Sequence, residues 1–138
     1  LMSLGIPLNT DSTLKGQTVF LAERCGELMH DNIITDRTIL DVMAFTMNAK
    51  SIPHQDKEAF ETYASEFIRE YDYIFYISPY GLEIEDNGVR ETDEHYRDLI
   101  DFTITTLIKR HGHKAGTIEK ISGSTEERIQ QILNVTKL

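Results

Sequence analysis

A single cysteine, Cys25, stands in the chain, so no disulfide can close within it and no cysteine-built metal cluster can form. Its place on an apolar helix face suits a small buried hydrophobe. No apolar run approaches the roughly 18 residues that a membrane span requires, and no membrane partner is expected. A basic stretch followed by an apolar one is also missing from the first residues, so no signal peptide is visible and a cytoplasmic location is the expectation. Positive charge is scarce: 14 Lys and Arg stand against 23 Asp and Glu, a formal net charge of −9. That balance disfavours nucleic acid, whose phosphate backbone needs a basic stripe, but leaves room for a small anion gripped by a few arginines in one cleft. Repeats and low-complexity segments are absent. The oligomeric state is left open.

What is present is ordinary for one globular domain. The 138 residues suffice for a real core and are too few for two ordinary domains. Asn9 to Ser12 form turns and lead into a helix expected from about Thr13 to Met29. Asn32-Ile33-Ile34-Thr35 reads as a short buried strand. After Asp36-Arg37, the spacing of Leu40, Met43, Ala44 and Met47 predicts a helix. Another is expected from about Gln55 to Glu70. Tyr73 to Ile77 is apolar or aromatic at every position, which suits a strand covered on both faces of a parallel sheet. A polar loop from Tyr80 to Arg90 precedes a long helix, about Thr92 to His111. A weaker strand is expected at Thr117 to Ile121, and Ser124 with Glu127 makes a capping box for a last helix. Strands alternating with helices predict an α/β fold with a parallel sheet of three strands. Ligands of such sheets bind at the carboxyl ends of the strands, which directs attention to Asp36-Arg37, Ser78 to Tyr80, and Ser122 to Thr125.

Asp36 leaving the end of a strand can hold a magnesium ion through water, and Arg37 beside it can grip a phosphate or a substrate. Asp41 follows in the first turn of the next helix. The same residues also read without chemistry: Asp36 as helix cap, Asp41 as partner of the helix dipole, Arg37 as a solvated side chain. Arg90 closes a loop containing Glu85-Asp86-Asn87-Gly88, and Arg97 lies on the helix beyond. A mobile loop delivering arginine to a transferring phosphoryl group is one reading; an ordinary surface arginine is the other. Glu83 to Glu94 can be laid on a twelve-residue calcium loop, but Glu83 holds the first place and the preceding element is a strand, so that reading is set aside. His111 and His113 suit helix capping better than metal ligation.

Together these pieces resemble the NadR-like P-loop ATPase and kinase family, which includes nicotinamide riboside kinases. "IITDRTILDVMAFT" looks like its Asp-Arg-(Ser/Thr)-x-Leu-Asp signature, "YDYIFYISP" like its next strand, "EDNGVRETDEHYRDLI" like its lid, and "ISGSTEERIQQI" like its closing strand, base loop and final helix. Nucleoside monophosphate kinases share this plan. The resemblance implies a three-layer P-loop NTPase fold over residues 1–138, a single partial domain with its lid at about 80–97. It implies ATP-dependent phosphoryl transfer to a small nucleoside or nucleotide-like acceptor, with ATP and magnesium as cofactors. Asp36, Arg90 and Arg97 would be catalytic, Asp36 also holding magnesium through water. Arg37 and Asp41 would bind the acceptor, and Ser122, Gly123 and Ser124 would line the nucleotide base. The sequence contains no G-x-x-x-x-G-K-[ST], the loop that cradles the phosphates. The expectation is therefore a chain whose first strand and phosphate-binding loop are missing from the sequence as given, inactive alone, with an apolar scar on the sheet. A regulatory nucleotide-binding module and a non-catalytic remnant of the fold are the alternatives.

Overall fold

The computed structural model describes residues 5–79 and 94–138. Five α-helices and two strands follow in the order α1 (Leu14–Glu27), α2 (Ile39–Met47), α3 (His54–Ser65), β1 (Tyr73–Ile77), α4 (Glu94–His111), β2 (Thr117–Ile121) and α5 (Thr125–Thr136). The strands pair in parallel, Tyr73 opposite Thr117 through Ile77 opposite Ile121. Parallel neighbours need a crossover, and α4 lies in that crossover. The fold is mixed α/β, as the alternation predicts.

The centre of the molecule is α2. Its sequence Ile-Leu-Asp-Val-Met-Ala-Phe-Thr-Met is apolar nearly all round, the signature of a helix with neighbours on several sides. Ile39, Met43, Ala44 and Thr46 are fully buried. Helices α1, α3 and α4 all pack on it. A buried amide ties α1 to α2: Gln17 Nε2 donates to Thr46 Oγ1 at 2.9 Å and to the Val42 carbonyl at 3.3 Å. On another side Asn48 Nδ2 donates to Thr103 Oγ1 of α4 at 2.9 Å. Phe60 and Ala64 of α3, Ile68, Tyr71, Ile74 of β1 and Leu107 of α4 complete the core. Cys25 is partly buried against it, and burial pushes its thiol pKa up.

Three expectations need correction. No strand forms at Asn32–Thr35. Ile34 is fully exposed and Ile33 is 41% exposed. Asn32 (φ 54°) and Arg37 (φ 76°) sit in the left-handed region at either end, turning the chain where a strand would have to stay extended. The sheet among the described residues accordingly has two strands, and β1 pairs with the weaker run, β2. Second, β1 is covered on one face only: Ile74 is buried in the core, whereas Tyr73 and Ile77 are 43% and 40% exposed. Third, the helix expected to Glu70 ends at Ser65 and tightens into a 3-10 turn over Glu66–Glu70.

The sheet's first rung depends on a glycine. Gly116 N donates to the Tyr71 carbonyl at 3.0 Å and Thr117 N to the Asp72 carbonyl at 2.9 Å. A Cβ at position 116 would run into the Asp72 carbonyl oxygen, a close backbone approach that only glycine permits.

Candidate functional site

The Asp36-Arg37 turn enters α2 through an arrangement of caps. Thr38 is the N-cap; its Oγ1 accepts from Leu40 N at 3.1 Å, and Asp41 Oδ2 accepts from Thr38 N at 2.7 Å, closing a capping box. Ile39 N donates to the Tyr71 hydroxyl at 3.2 Å. Burial lifts the Tyr71 pKa to about 12. The cap is thus Thr38, and Asp36 does not serve as one. The opening N–H groups of α2 are already engaged, so the helix terminus itself has little left for a ligand.

Beside this turn lies a cleft of about 460 Å³ between α1 and α2. Gln17, Phe20, Glu23 and Arg24 line it from α1, and Arg37, Thr38, Asp41, Val42 and Phe45 from the turn and α2. The structure therefore brings Arg37 and Asp41 into one site. Arg37 carries its guanidinium over the Phe45 ring, 5.9 Å from the centroid, within cation–π reach. Among the described residues it makes no ion pair. Its backbone is held at φ 76°, a conformation that is strained for any residue with a side chain. Asp41 is mostly withdrawn from water. Burial raises its pKa, against the lowering pull of the Thr38 N–H and the Arg37 charge.

Arg24 is committed elsewhere. Its Nη2 lies 3.1 Å from Glu27 Oε1 and 3.6 Å from Glu23 Oε1, and its Nη1 donates to the Asp36 carbonyl at 3.1 Å. On its far side is a second hollow, of about 520 Å³, lined by Glu27, His30, Ile33, Ile34, Thr35 and Asp36. Asp36 thus opens onto a different hollow from Arg37 and Asp41. Asp36 lines this hollow beside Thr35, with the guanidinium of Arg24 set against Glu27. Among the described residues no group of three or more His, Cys, Asp or Glu is disposed to enclose a metal.

The remaining expected site residues lie apart from the cleft lining. Arg97 stands in the first turns of α4, its Nε 3.8 Å from Asp98 Oδ1; its neighbour Tyr96 reaches Phe45 with ring centroids 6.3 Å apart. Arg90 lies outside the described residues, as does most of the lid and of the calcium-loop alignment. Ser122, Gly123 and Ser124 follow β2, as expected, and are exposed. Their groups are engaged by α5. Ser124 and Glu127 form the capping box, Gly123 takes φ 97° against the Glu127 side chain, and Gln131 exchanges hydrogen bonds with Ser122 N and O.

Two sets of residues were missed in the sequence. Gln17, Phe20 and Arg24 share one face at helical spacing, as do Thr38, Val42 and Phe45 with the already named Asp41, and that periodicity could have found the cleft. The other set is a charged clamp between α3 and α4. Arg110 Nη1 donates to both Glu61 oxygens, at 2.8 and 2.6 Å, and His111 Nε2 lies 2.7 Å from Glu61 Oε2. Burial alone would raise the Glu61 pKa, but the Arg110 and His111 hydrogen bonds and charges outweigh it and hold the carboxyl below its ordinary value.

The class these observations define is a mixed α/β domain with, among the described residues, a two-stranded parallel sheet and a cleft beside its central helix. Compared with family models, with curated proteins and with solved structures, the chain has no match.

Proposed function

We propose that this domain binds the acceptor of an ATP-dependent phosphoryl transfer, a small nucleoside or nucleotide-like molecule, on the P-loop kinase plan. The observation that carries the reading is the cleft in which Arg37, Asp41 and Phe45 meet Phe20 across α1. Its volume suits a small molecule, its aromatic rings offer contact for a planar base, and its carboxylate can accept from a hydroxyl. Arg37 and Asp41 bind the acceptor. Asp36 holds the magnesium side of the reaction from the adjoining hollow, and Arg90 with Arg97 neutralises charge on the transferring phosphoryl group. Phosphoryl transfer asks mainly for positioning and charge stabilisation, so a site of Asp and Arg is sufficient in kind. ATP bound with magnesium supplies the phosphoryl group, and its phosphates need a cradle that this sequence does not contain.

The test is direct binding. Nucleosides and nucleoside monophosphates titrated into the chain are expected to give saturable heats, weakened by Phe45→Ala and by Asp41→Asn. A panel with no binder at millimolar concentration sinks the acceptor reading. A second reading, a binding module on the same plan without catalysis, draws support from Ser122 to Ser124, whose capping groups are spent on α5. ATP consumption with a confirmed binder, in the presence of magnesium, separates the two.

A further inference from the structure

We propose that β1 is the contact strand of a symmetric dimer, its open edge pairing antiparallel with the same edge of a second copy of this chain. The proposal is independent of the cleft and of the acceptor reading. It starts from the direction of the strand's hydrogen-bonding groups. In a strand the N–H and C=O of one residue point to the same side, and that side alternates along the chain. Thr117 N donates to the Asp72 carbonyl, so Asp72, Ile74 and Tyr76 turn their backbone groups toward β2. Tyr73, Phe75 and Ile77 turn theirs the other way, and among the described residues nothing pairs with them. Such an edge is normally blunted by a charged side chain, a proline or a bulge. The strand Tyr-Ile-Phe-Tyr-Ile has none of these. A two-stranded sheet is also marginal by itself.

The ends of β1 decide which register is open. Before it, the Tyr71 carbonyl is taken by Gly116 N. After it, Pro79 has no N–H to give. Pairing is thereby confined to Tyr73–Ile77. The antiparallel register that engages Tyr73, Phe75 and Ile77 of both copies puts the two-fold axis at Phe75. Tyr73 then lies opposite Ile77 of the second copy, Phe75 opposite its own counterpart, and every outward N–H and C=O finds a partner. The side chains agree. The Tyr73 and Phe75 rings stack 6.2 Å apart and 6° from parallel, and Ile77 continues the row on that face. Pairing sets this row beside its own copy, with aromatic and β-branched residues opposite one another, a favourable cross-strand combination. Asp72, the nearest charge, falls opposite Ser78. On β2 the register that engages both outward residues, Ile118 and Lys120, sets Glu119 against Glu119 of the second copy, a like-charge pair. In a chain of net charge −9, an uncharged strand is where two copies meet with least repulsion. The contact is small beside the roughly 800 Å² per partner of a stable dimer, so it forms and separates with concentration.

The test is residue-resolved amide hydrogen exchange of the intact chain at low micromolar and near-millimolar concentration, beside sedimentation velocity over the same range. Sedimentation should quicken with concentration. The Tyr73, Phe75 and Ile77 amides should exchange on the order of tenfold more slowly at the high end, while those of Ile74 and Tyr76, already bonded to β2, change much less. Phe75→Lys and Phe75→Glu each set like charges across the two-fold axis and should sediment as monomers. Mixed in equal amounts they set opposite charges across it and should recover the dimer, which also shows that neither has lost its fold. A wild type that stays monomeric throughout overturns the proposal. So does a dimer that survives Phe75→Lys, which puts the contact elsewhere. Equal protection of Tyr73, Phe75 and Ile77 at both concentrations overturns it too, because the edge is then covered within one chain. Folded variants that fail to reassociate on mixing count against it as well; where either variant melts without cooperativity, the wild-type exchange pattern decides.

Discussion

The two ends of this molecule are built differently. Around α2, side chains from α1, α3 and α4 close over a helix with six buried residues out of nine. At the other end, α5 has none fully buried, and Ile129 stays 51% exposed. Yet α5 has a complete local code of its own: a capping box, as α2 has, and a clean apolar stripe. Local signals decide whether a helix can form, while burial decides how much it adds to the stability of the whole. The α2 region is where stability resides, and the sheet-and-α5 end is where the fold is drawn without being strongly held.

The largest expected effect tests that contrast directly. Met43→Ala opens a cavity at a fully buried position and should cost about 2–5 kcal/mol, whereas Ile129→Ala should stay within about 0.5 kcal/mol. Urea denaturation of the two variants checks it; equal losses would mean α5 is as integral as α2.

Next comes the clamp. Glu61→Gln should cost about 1–2 kcal/mol, less than a fully buried pair because Arg110 is half-exposed and keeps its water. The folded state holds the Glu61 proton less readily than the unfolded chain does. Its contribution is therefore present above the ordinary value of 4.5 and is lost as pH falls through the lower folded value. Denaturation midpoints followed from pH 6 to pH 3 should drop more steeply for the wild type than for Glu61→Gln. Parallel curves would place the acid sensitivity elsewhere.

Ser124→Ala removes a cap worth about 1 kcal/mol to its helix. On this molecule the loss should appear as faster amide exchange within α5 with little change in global melting, since the helix is loosely held. A global shift matching the local one would show that α5 unfolds with the core. The smallest effect has the opposite sign. Arg37→Gly relieves a left-handed backbone and should stabilise by about 0.5–1 kcal/mol. A destabilised Arg37→Gly would show that the Phe45 contact outweighs the strain.

The same contrast explains what could be read from sequence. Both strands and the α5 capping box were legible because each rests on neighbours in the chain: an unbroken apolar run for β1, Ser124 and Glu127 three apart for α5. Asn32-Ile33-Ile34-Thr35 has the same local look and fails as a strand because strands are made by partners, and among the described residues none pairs with it. The α3–α4 clamp was invisible for a related reason. Glu61, Arg110 and His111 announce nothing individually, and only the packing of α3 on α4 brings them together. Arg37 and Asp41 were named, but as neighbours of Asp36 at a strand end. The cleft that joins them is made by α1, whose contribution depended on reading Gln17, Phe20 and Arg24 as one face.

Gly116 has a consequence for the order in which the molecule comes together. Helices α1, α2 and α3 follow one another along the chain and can meet early, but α4 on α2 and β2 on β1 come together only after a long stretch of chain has been brought back on itself, and such closure is slow relative to local winding. The sheet is therefore the late event in folding, and its first rung is the one that Gly116 allows. Until that rung closes, β1 remains an apolar ribbon with both edges open, the form of chain most prone to pair with a stranger. A side chain at position 116 would lengthen that interval, so its cost would be counted in molecules lost to aggregation during synthesis as well as in the stability of those that finish.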